Sequence, residues 1–403
     1  MAYLLGCCFS LMVCAQDTTW YFNKLFQTDT SSRSFVAVKP VEDGYLTVGD
    51  INVSFNYSAT YVCKLDKNGN KLWSKTIDEV YNGYNAIFFG NCLVDTYDDN
   101  YVVASEKGTT VQTADWVLTK ITPEGDTLWQ KKYAHLGQEA NAQVMATTDW
   151  GYMLAGWTAF YNANGTPNPP CMYLVKTDYK GDTLWTRQYC DDDSAVLLYA
   201  EQTQDNGYIL SGYRYSTASL YDMIVIKVGE FGNEEWRKTF GTDQSDGGCM
   251  AYQLPNGNYA LTGVIADVQY PRYDLFYALL KPNGDTLLTQ THHKPQSIQN
   301  FTPSFTYVEE DKIYLITISF GFTTEQVEFV VLSFNGDILY QTPINSGIGD
   351  DDYIRDIEPT PDGGFVLAGF NYQSPQSAWL VKVDSLGNTC SFMNCDSTIY
   401  TGY

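Results

Sequence analysis

The chain has 403 residues, with 47 acidic against 24 basic side chains and a formal charge of -23. That balance repels phosphate backbones and anionic lipid surfaces, which argues against nucleic acid as a partner. With 44% hydrophobic and 15% aromatic residues, 32 Tyr and 32 Gly, the chain can fill a large core and favours strands and tight turns over helices.

The first sixteen residues, MAYLLGCCFSLMVCAQ, are uncharged and mostly apolar, and Val13-Cys14-Ala15 places small residues before a cleavage point. Residues 1–16 read as a signal peptide, too short to span a bilayer, and no other segment is long and apolar enough to do so. The expected localisation is secreted or cell-surface. Cys7, Cys8 and Cys14 would leave with the signal, so Cys63, Cys92, Cys171, Cys190, Cys249, Cys390 and Cys395 remain. An odd number, with the first five scattered, argues against a disulfide framework. Only Cys390 and Cys395, in CSFMNC, lie close enough to suggest a local bridge pinning the tail at 391–403.

Past the signal, Trp20–Phe26 reads as a lone strand, and then a repeat begins. Its core recurs as YVCKLDKNGNKLW (61–73), WVLTKITPEGDTLW (116–129), YLVKTDYKGDTLW (173–185), IVIKVGEFGNEEW (224–236), YALLKPNGDTLL (277–288), FVVLSFNGDILY (329–340) and WLVKVDSLGNTC (379–390). The glycines at 69, 125, 181, 232, 284, 336 and 387 are spaced by 56, 56, 51, 52, 52 and 51 residues. An aromatic-led apolar run precedes each core, as in DGYLTVG (43–49), NGYILSG (206–212) and GGFVLAG (363–369), with a weaker strand before that. Four strands per period of this length is the pattern of a β-propeller blade.

The last repeat lacks its fourth strand, and the N-terminal strand has no blade of its own. The expected architecture is therefore an all-β, seven-bladed propeller of four-stranded antiparallel blades over residues 17–390. Its ring closes when the N-terminal strand completes the last blade, and closure removes the exposed edges of an open stack.

Within the repeat, the Asp-x-x-Gly-Asp turns read as hairpins between third and fourth strands, because they lack the alternating oxygen ligands and downstream Glu of a calcium loop. Trp73, Trp129, Trp185 and Trp236 hold one phase of the fourth strand, with Leu288 and Tyr340 in the next two blades. A residue required in every blade points to blade-to-blade packing rather than a ligand.

The unit hhhK-x-D-x-x-G-(D/N)-x-L-W, following (D/N)-G-(Y/F)-hhh-(A/S/T)-G, resembles the secreted repeat propellers common in Bacteroidota. It is also similar to the tryptophan-docking repeats of quinoprotein dehydrogenases and outer-membrane-assembly propellers. The resemblance covers nearly the whole mature chain and implies fold and export. The quinoprotein likeness would imply an eight-bladed ring with quinone, calcium and a catalytic Asp, but no residue here matches those roles.

Function then falls to the loops, since the strands are committed to packing. The candidates on the face carrying the second-to-third-strand and blade-to-blade loops are Asp191, Asp192, Asp193, Asp246, Asp350, Asp351 and Asp352, with Trp157, Tyr161, Tyr213, Tyr270 and Tyr273. Clustered carboxylates there could hold calcium, although no cofactor is otherwise expected, and aromatic–amide loops suit a glycan or a protein partner. The competing reading is that the acids cap loops, since Glu139, Asp246 and Asp352 each lie thirteen residues before their blade's Tyr or Phe. His135, His292 and His293 sit in no catalytic motif, and adjacent strand residues 292 and 293 would point to opposite faces. The reading is a monomeric secreted binding or scaffold module. The alternative is an extracellular carbohydrate-active enzyme using loop carboxylates.

Overall fold

The structure is a computed structural model. It describes residues 21–27, 32–54, 57–77, 81–82, 84–86, 90–110, 113–135, 137–160, 168–190, 194–216, 220–267, 273–293, 302–309, 311–320, 325–348, 351–372, 375–390 and 400–401. The proposed signal peptide lies outside them.

The strands form a seven-bladed β-propeller of four-stranded antiparallel blades. Blades three to six are contiguous: 137–189, 194–240, 247–292 and 302–344. Blade one spans 32–76 and carries two short extra strands, and blade two spans 93–133 and carries one. Blade seven takes three strands from 352–383 and its fourth from Phe22–Gln27, which pairs antiparallel with Ser377–Val383. First strands contact one another from blade to blade around the whole ring, so the inner wall is closed. A two-residue strand, Tyr400–Thr401, adds in parallel to the N-terminal strand.

Two faces result. The turn face carries the turns between first and second and between third and fourth strands. The loop face carries the second-to-third-strand loops and the connections between blades.

Blade-to-blade packing explains the repeated aromatics. The glycines of the third turn have φ of +71 to +87°, which only glycine adopts without strain. In blades two to five a Cβ on that glycine would meet the Trp ring of the preceding blade: Trp73 at Gly125, Trp129 at Gly181, Trp185 at Gly232 and Trp236 at Gly284, at 2.8–3.0 Å. In blade seven Phe22 occupies the Trp position, opposite Lys382, and covers Gly69. Where the fourth strand offers only Leu288 or Tyr340, the role moves one strand inward: Tyr277 covers Gly336 and Phe329 covers Gly387. Tyr340 itself stays exposed.

The conserved-phase lysine also acquires a partner. Lys64, Lys120, Lys176, Lys227 and Lys382 lie opposite the Trp or Phe and pair with Asp43, Asp98, Asp149, Asp205 and Asp362 in the first turn of their own blade. In four of these turns a Thr hydroxyl (96, 147, 203 or 360) donates to the same carboxylate. The Asp opening the third turn caps it: the Asp178 carboxylate accepts the N–H groups of Lys180 and Asp182 at 2.9 and 2.8 Å. The hairpin reading of these turns therefore holds.

Candidate functional site

On the loop face, one repeated position decides much of the chemistry. It is the residue before the first fully buried residue of the third strand, next to the end of the fourth. It is Asp115 in blade two, Cys171 in blade three, Asp222 in blade four and Asp274 in blade five. Each blade solves it differently. Asp115 pairs with Lys132. Cys171 is bonded to Cys190, directly across the hairpin. Asp274 hydrogen-bonds the His293 ring at 2.6 Å.

One bridge does form among the five scattered cysteines, although they make no disulfide framework. Met172 faces Tyr189 in the ladder, so the next pair outward is 171 and 190, with Cα atoms 4.5 Å apart. Hairpin register, not sequence proximity, brings them together. Cys63, Cys92 and Cys249 are free and buried, and burial raises all three thiols. Cys390 is disulfide-bonded, while Cys395 lies outside the described residues.

Facing that position is the start of the next blade's first strand, where Glu139, Asp246 and Asp352 fall. Glu139 is wholly buried. Its N–H donates to the Ala114 carbonyl at 2.9 Å, and Thr158 donates to its carboxyl at 3.2 Å. Burial first, and the adjacent Asp115 carboxylate second, push its pKa up to about 8. Burial therefore favours its protonated form. Asp246 accepts from the Thr242 N–H and hydroxyl and from the Ala266 N–H at 2.6 Å. Asp352 accepts from the Ser346 N–H at 2.7 Å and the Asn371 amide at 2.8 Å. These buried carboxylates tie down loops.

The inner strands hold further acids, and these also stitch blades together. Asp356 accepts the Val38 N–H of blade one at 2.8 Å, and burial raises it to about 7. Glu201 accepts the Gln253 N–H of blade five and the Tyr199 hydroxyl, and burial raises it to about 7.

What remains open is an aromatic cleft of about 410 Å³ between blades four and five. Tyr213 and Tyr221, on the second and third strands of blade four, meet edge-on with centroids 5.6 Å apart, and Tyr215 buttresses Tyr221 at 5.2 Å. Tyr273, Val264, Leu198 and the Ser245–Gly248 segment complete the walls. The volume lies in the range of small-ligand sites, which are mostly apolar with a few polar groups. A second recess, of about 540 Å³, lies on blade two and is polar, with Lys107, Thr113, Asp115, Gln130 and Lys132 around it.

Of the sequence candidates, the structure brings Asp246, Tyr213 and Tyr273 into this one cleft. Trp157 is half-buried on the second strand of blade three and Asp351 is exposed beside blade seven. Asp191, Asp192, Asp193, Tyr161, Tyr270 and Asp350 lie outside the described residues. Sequence reasoning missed Tyr221, which is 43% exposed, because its place in a Tyr-rich loop did not show that it would flank blade five. His292 and His293 do take different partners, Gly336 O and Asp274. His293 joins Asp267 and Asp274 in a group whose ligand atoms all lie within 4.8 Å, the one such group among the described residues able to hold a metal ion.

Fold and site together define a β-propeller with an open aromatic cleft on its loop face. No family model matches the chain, and no curated protein sequence does. Solved structures do. The polysaccharide lyase Uly1 aligns over 87% of this chain and 89% of its own, with a TM-score of 0.56 and 9% identity. A protein from Lactobacillus plantarum aligns over 92% and 96%, with a TM-score of 0.50 and 14% identity. A protein of unknown function from Bacteroides caccae aligns over 78% and 94%, with a TM-score of 0.42 and 12% identity. At these identities the first two carry the fold and nothing finer.

Proposed function

We propose that this protein is a secreted or cell-surface binding module whose loop face holds a glycan or protein partner in the tyrosine cleft between blades four and five. The observation carrying this reading is that Tyr213, Tyr221 and Tyr273 converge around about 410 Å³ of open space while the buried acids beside them are engaged in holding loops. Aromatic side chains supply large contact area at low entropic cost and dominate binding hot spots. The Cys171–Cys190 disulfide supports export, since such bonds persist in oxidising compartments. The chain acts as a monomer without a cofactor; the Asp267–Asp274–His293 group is where a metal ion would be sought first.

A binding role is favoured over catalysis because the two adjoining carboxyls of blades two and three, Asp115 and Glu139, do not both reach a substrate: Glu139 has no exposed surface. The test is a glycan array together with a polysaccharide turnover screen, on protein lacking residues 1–16 and on its Tyr221→Ala and Tyr273→Ala variants. Binding that both variants weaken tenfold or more supports the cleft. Binding indifferent to both removes it, and turnover of any polysaccharide replaces the module with a carbohydrate-active enzyme.

A further inference from the structure

The turn face carries a feature that the repeat does not explain. Five blades share one first turn, in which the fourth residue donates its N–H to the first residue's carbonyl and adopts a left-handed conformation. That fourth residue is Asp99, Trp150, Asn206, Gly257 or Gly363. Glycine, asparagine and aspartate are the residues that tolerate such a backbone. Trp150, at φ +71°, is a bulky side chain where the fold asks for a small one.

Nor does the indole contribute to the core. Trp150 is 63% exposed. Its ring lies 5.1 Å from Tyr97 with the planes 30° apart, and Tyr97 meets Tyr179 edge-on at 5.8 Å. Tyr97 comes from the first turn of blade two, and Tyr179 from the third turn of blade three. Both are more than 40% exposed. Lys120 lies 5.5 Å over the Tyr97 ring and pairs with Asp98, which fixes the ring from below. At the place of Tyr97 other blades put Pro255 and Pro361, and at the place of Tyr179 they put Pro282 or Phe334, so it is the three rings together that are particular to blades two and three. Strain held at an exposed aromatic, in a turn that would be easier with glycine, is the signature of a residue kept for binding.

Beside Trp150 the surface turns polar. Thr148 donates to Asn206 at 2.9 Å and receives the Gln202 amide. A recess of about 220 Å³ opens between that network and Phe231, which is 62% exposed. An exposed indole followed by a small recess edged with amides and hydroxyls matches the C–H face and hydroxyls of a pyranose. Lys120, Lys176 and Lys131 neutralise Asp98, Asp149 and Asp182 beside the strip, and the formal charge of -23 on the whole chain disfavours a polyanion.

We infer that the Tyr97–Trp150–Tyr179 platform is a second carbohydrate site, on the face opposite the tyrosine cleft, that takes a neutral polysaccharide. The exposed indole face of Trp150 stacks on a sugar ring, held in place by Tyr97, which Tyr179 buttresses edge-on, and the Thr148–Gln202–Asn206 edge receives hydroxyls.

The test is affinity electrophoresis of the mature chain through gels containing cellulose derivative, xylan, glucomannan or, as the anionic control, alginate. Trp150→Gly is the informative variant, because glycine suits the turn. The expected result is retardation by at least one neutral polymer, reduced tenfold or more in Trp150→Gly and in Tyr97→Ala, with a Trp150→Gly melting temperature equal to or above that of the parent. Tyr221→Ala should leave this retardation unchanged, which separates the two faces. Retardation by alginate alone, by no neutral polymer, or undiminished in Trp150→Gly overturns the proposal. So does a lower melting temperature in Trp150→Gly, which would make the indole structural.

Discussion

Blade four and blade five answer the same packing problem with opposite chemistry. In blade four the first turn and third strand contribute Thr203, Asp205 and Lys227, joined by hydrogen bonds and an ion pair. In blade five the same three positions are Leu254, Asn256 and Leu279, and the two leucines belong to the apolar cluster at that junction. The lysine is 1% exposed at its side chain, so it is tolerated only while its partners are present. The difference teaches that the lysine and its aspartate come and go together, whereas the threonine is optional, since blade one keeps Lys64–Asp43 with Val41 in its place. Removing one partner strands a buried charge, whereas removing all of them leaves ordinary core.

The largest effect should come from the docking glycine that both kinds of blade share. Gly232→Val places a β-branched residue at φ +76°, with its Cβ 2.9 Å from the Trp185 ring. Left-handed strain and overpacking together should cost about 3–5 kcal/mol in urea unfolding. Gly257→Ala, at φ +84° with nothing within 4 Å, should cost only about 1 kcal/mol. Equal losses at the two sites would mean that indole docking adds nothing.

Next is the bridge that blade three has where blades two, four and five have carboxylates. Replacing Cys171 and Cys190 by serine opens a link across 19 residues and should destabilise by about 3 kcal/mol, read as a lower urea midpoint. An unchanged midpoint would show that hairpin pairing alone fixes that end of the blade.

A smaller effect tests the polar unit itself. Asp205→Asn should cost about 1–2 kcal/mol, below the usual figure for a buried pair because Asp205 is half-exposed. Adding Lys227→Leu, which copies blade five, should recover most of it. A double variant as weak as the sum of its parts would refute the unit.

The smallest effect is a pH dependence. Glu139 rises to about 8, and Glu201 and Asp356 to about 7, each chiefly through burial. All three hold a proton in the folded chain where the unfolded chain has lost it. Their contribution is full below the ordinary carboxylate range and is lost as pH climbs toward 8. The turn aspartates act the other way. Burial pushes Asp149 and Asp205 upward, but Lys and Thr hydrogen bonds outweigh it and hold them below the ordinary value, so their contribution is lost in acid. Thermal stability should therefore peak in mildly acidic solution. Glu139→Gln should flatten the alkaline decline by about 1 kcal/mol in melts at pH 5 and pH 8.5; an unaltered slope would place the titration elsewhere.

Much of the fold could be read from the chain. Seven glycines at nearly constant spacing, with Trp at one phase, imply hairpins, blades and interblade packing, because each is a local pattern repeated. The split blade was legible too, since a fourth strand was missing at one end and supernumerary at the other. The lysine's partner was not read, although the lysine and the turn aspartate both repeat and blade five lacks the two together. That covariation was open to view, but linear order does not say which turn a strand end will touch. The candidate site was legible only in part. Tyr213, Asp246 and Tyr273 stood out as loop residues, but Tyr221 joined them only once blade five lay beside blade four.

The sequence by itself determined the blades, their number and their closure, because backbone pairing and turn geometry act between neighbours and their period survives in the order of residues. Only the tertiary structure decided which side chains meet between blades: Tyr277 and Phe329 taking over from a missing indole, Glu139 against Asp115, and three tyrosines around one cleft. Those contacts depend on distances across the ring, where residues some fifty apart in sequence are packed face to face and compete for the same space and the same protons.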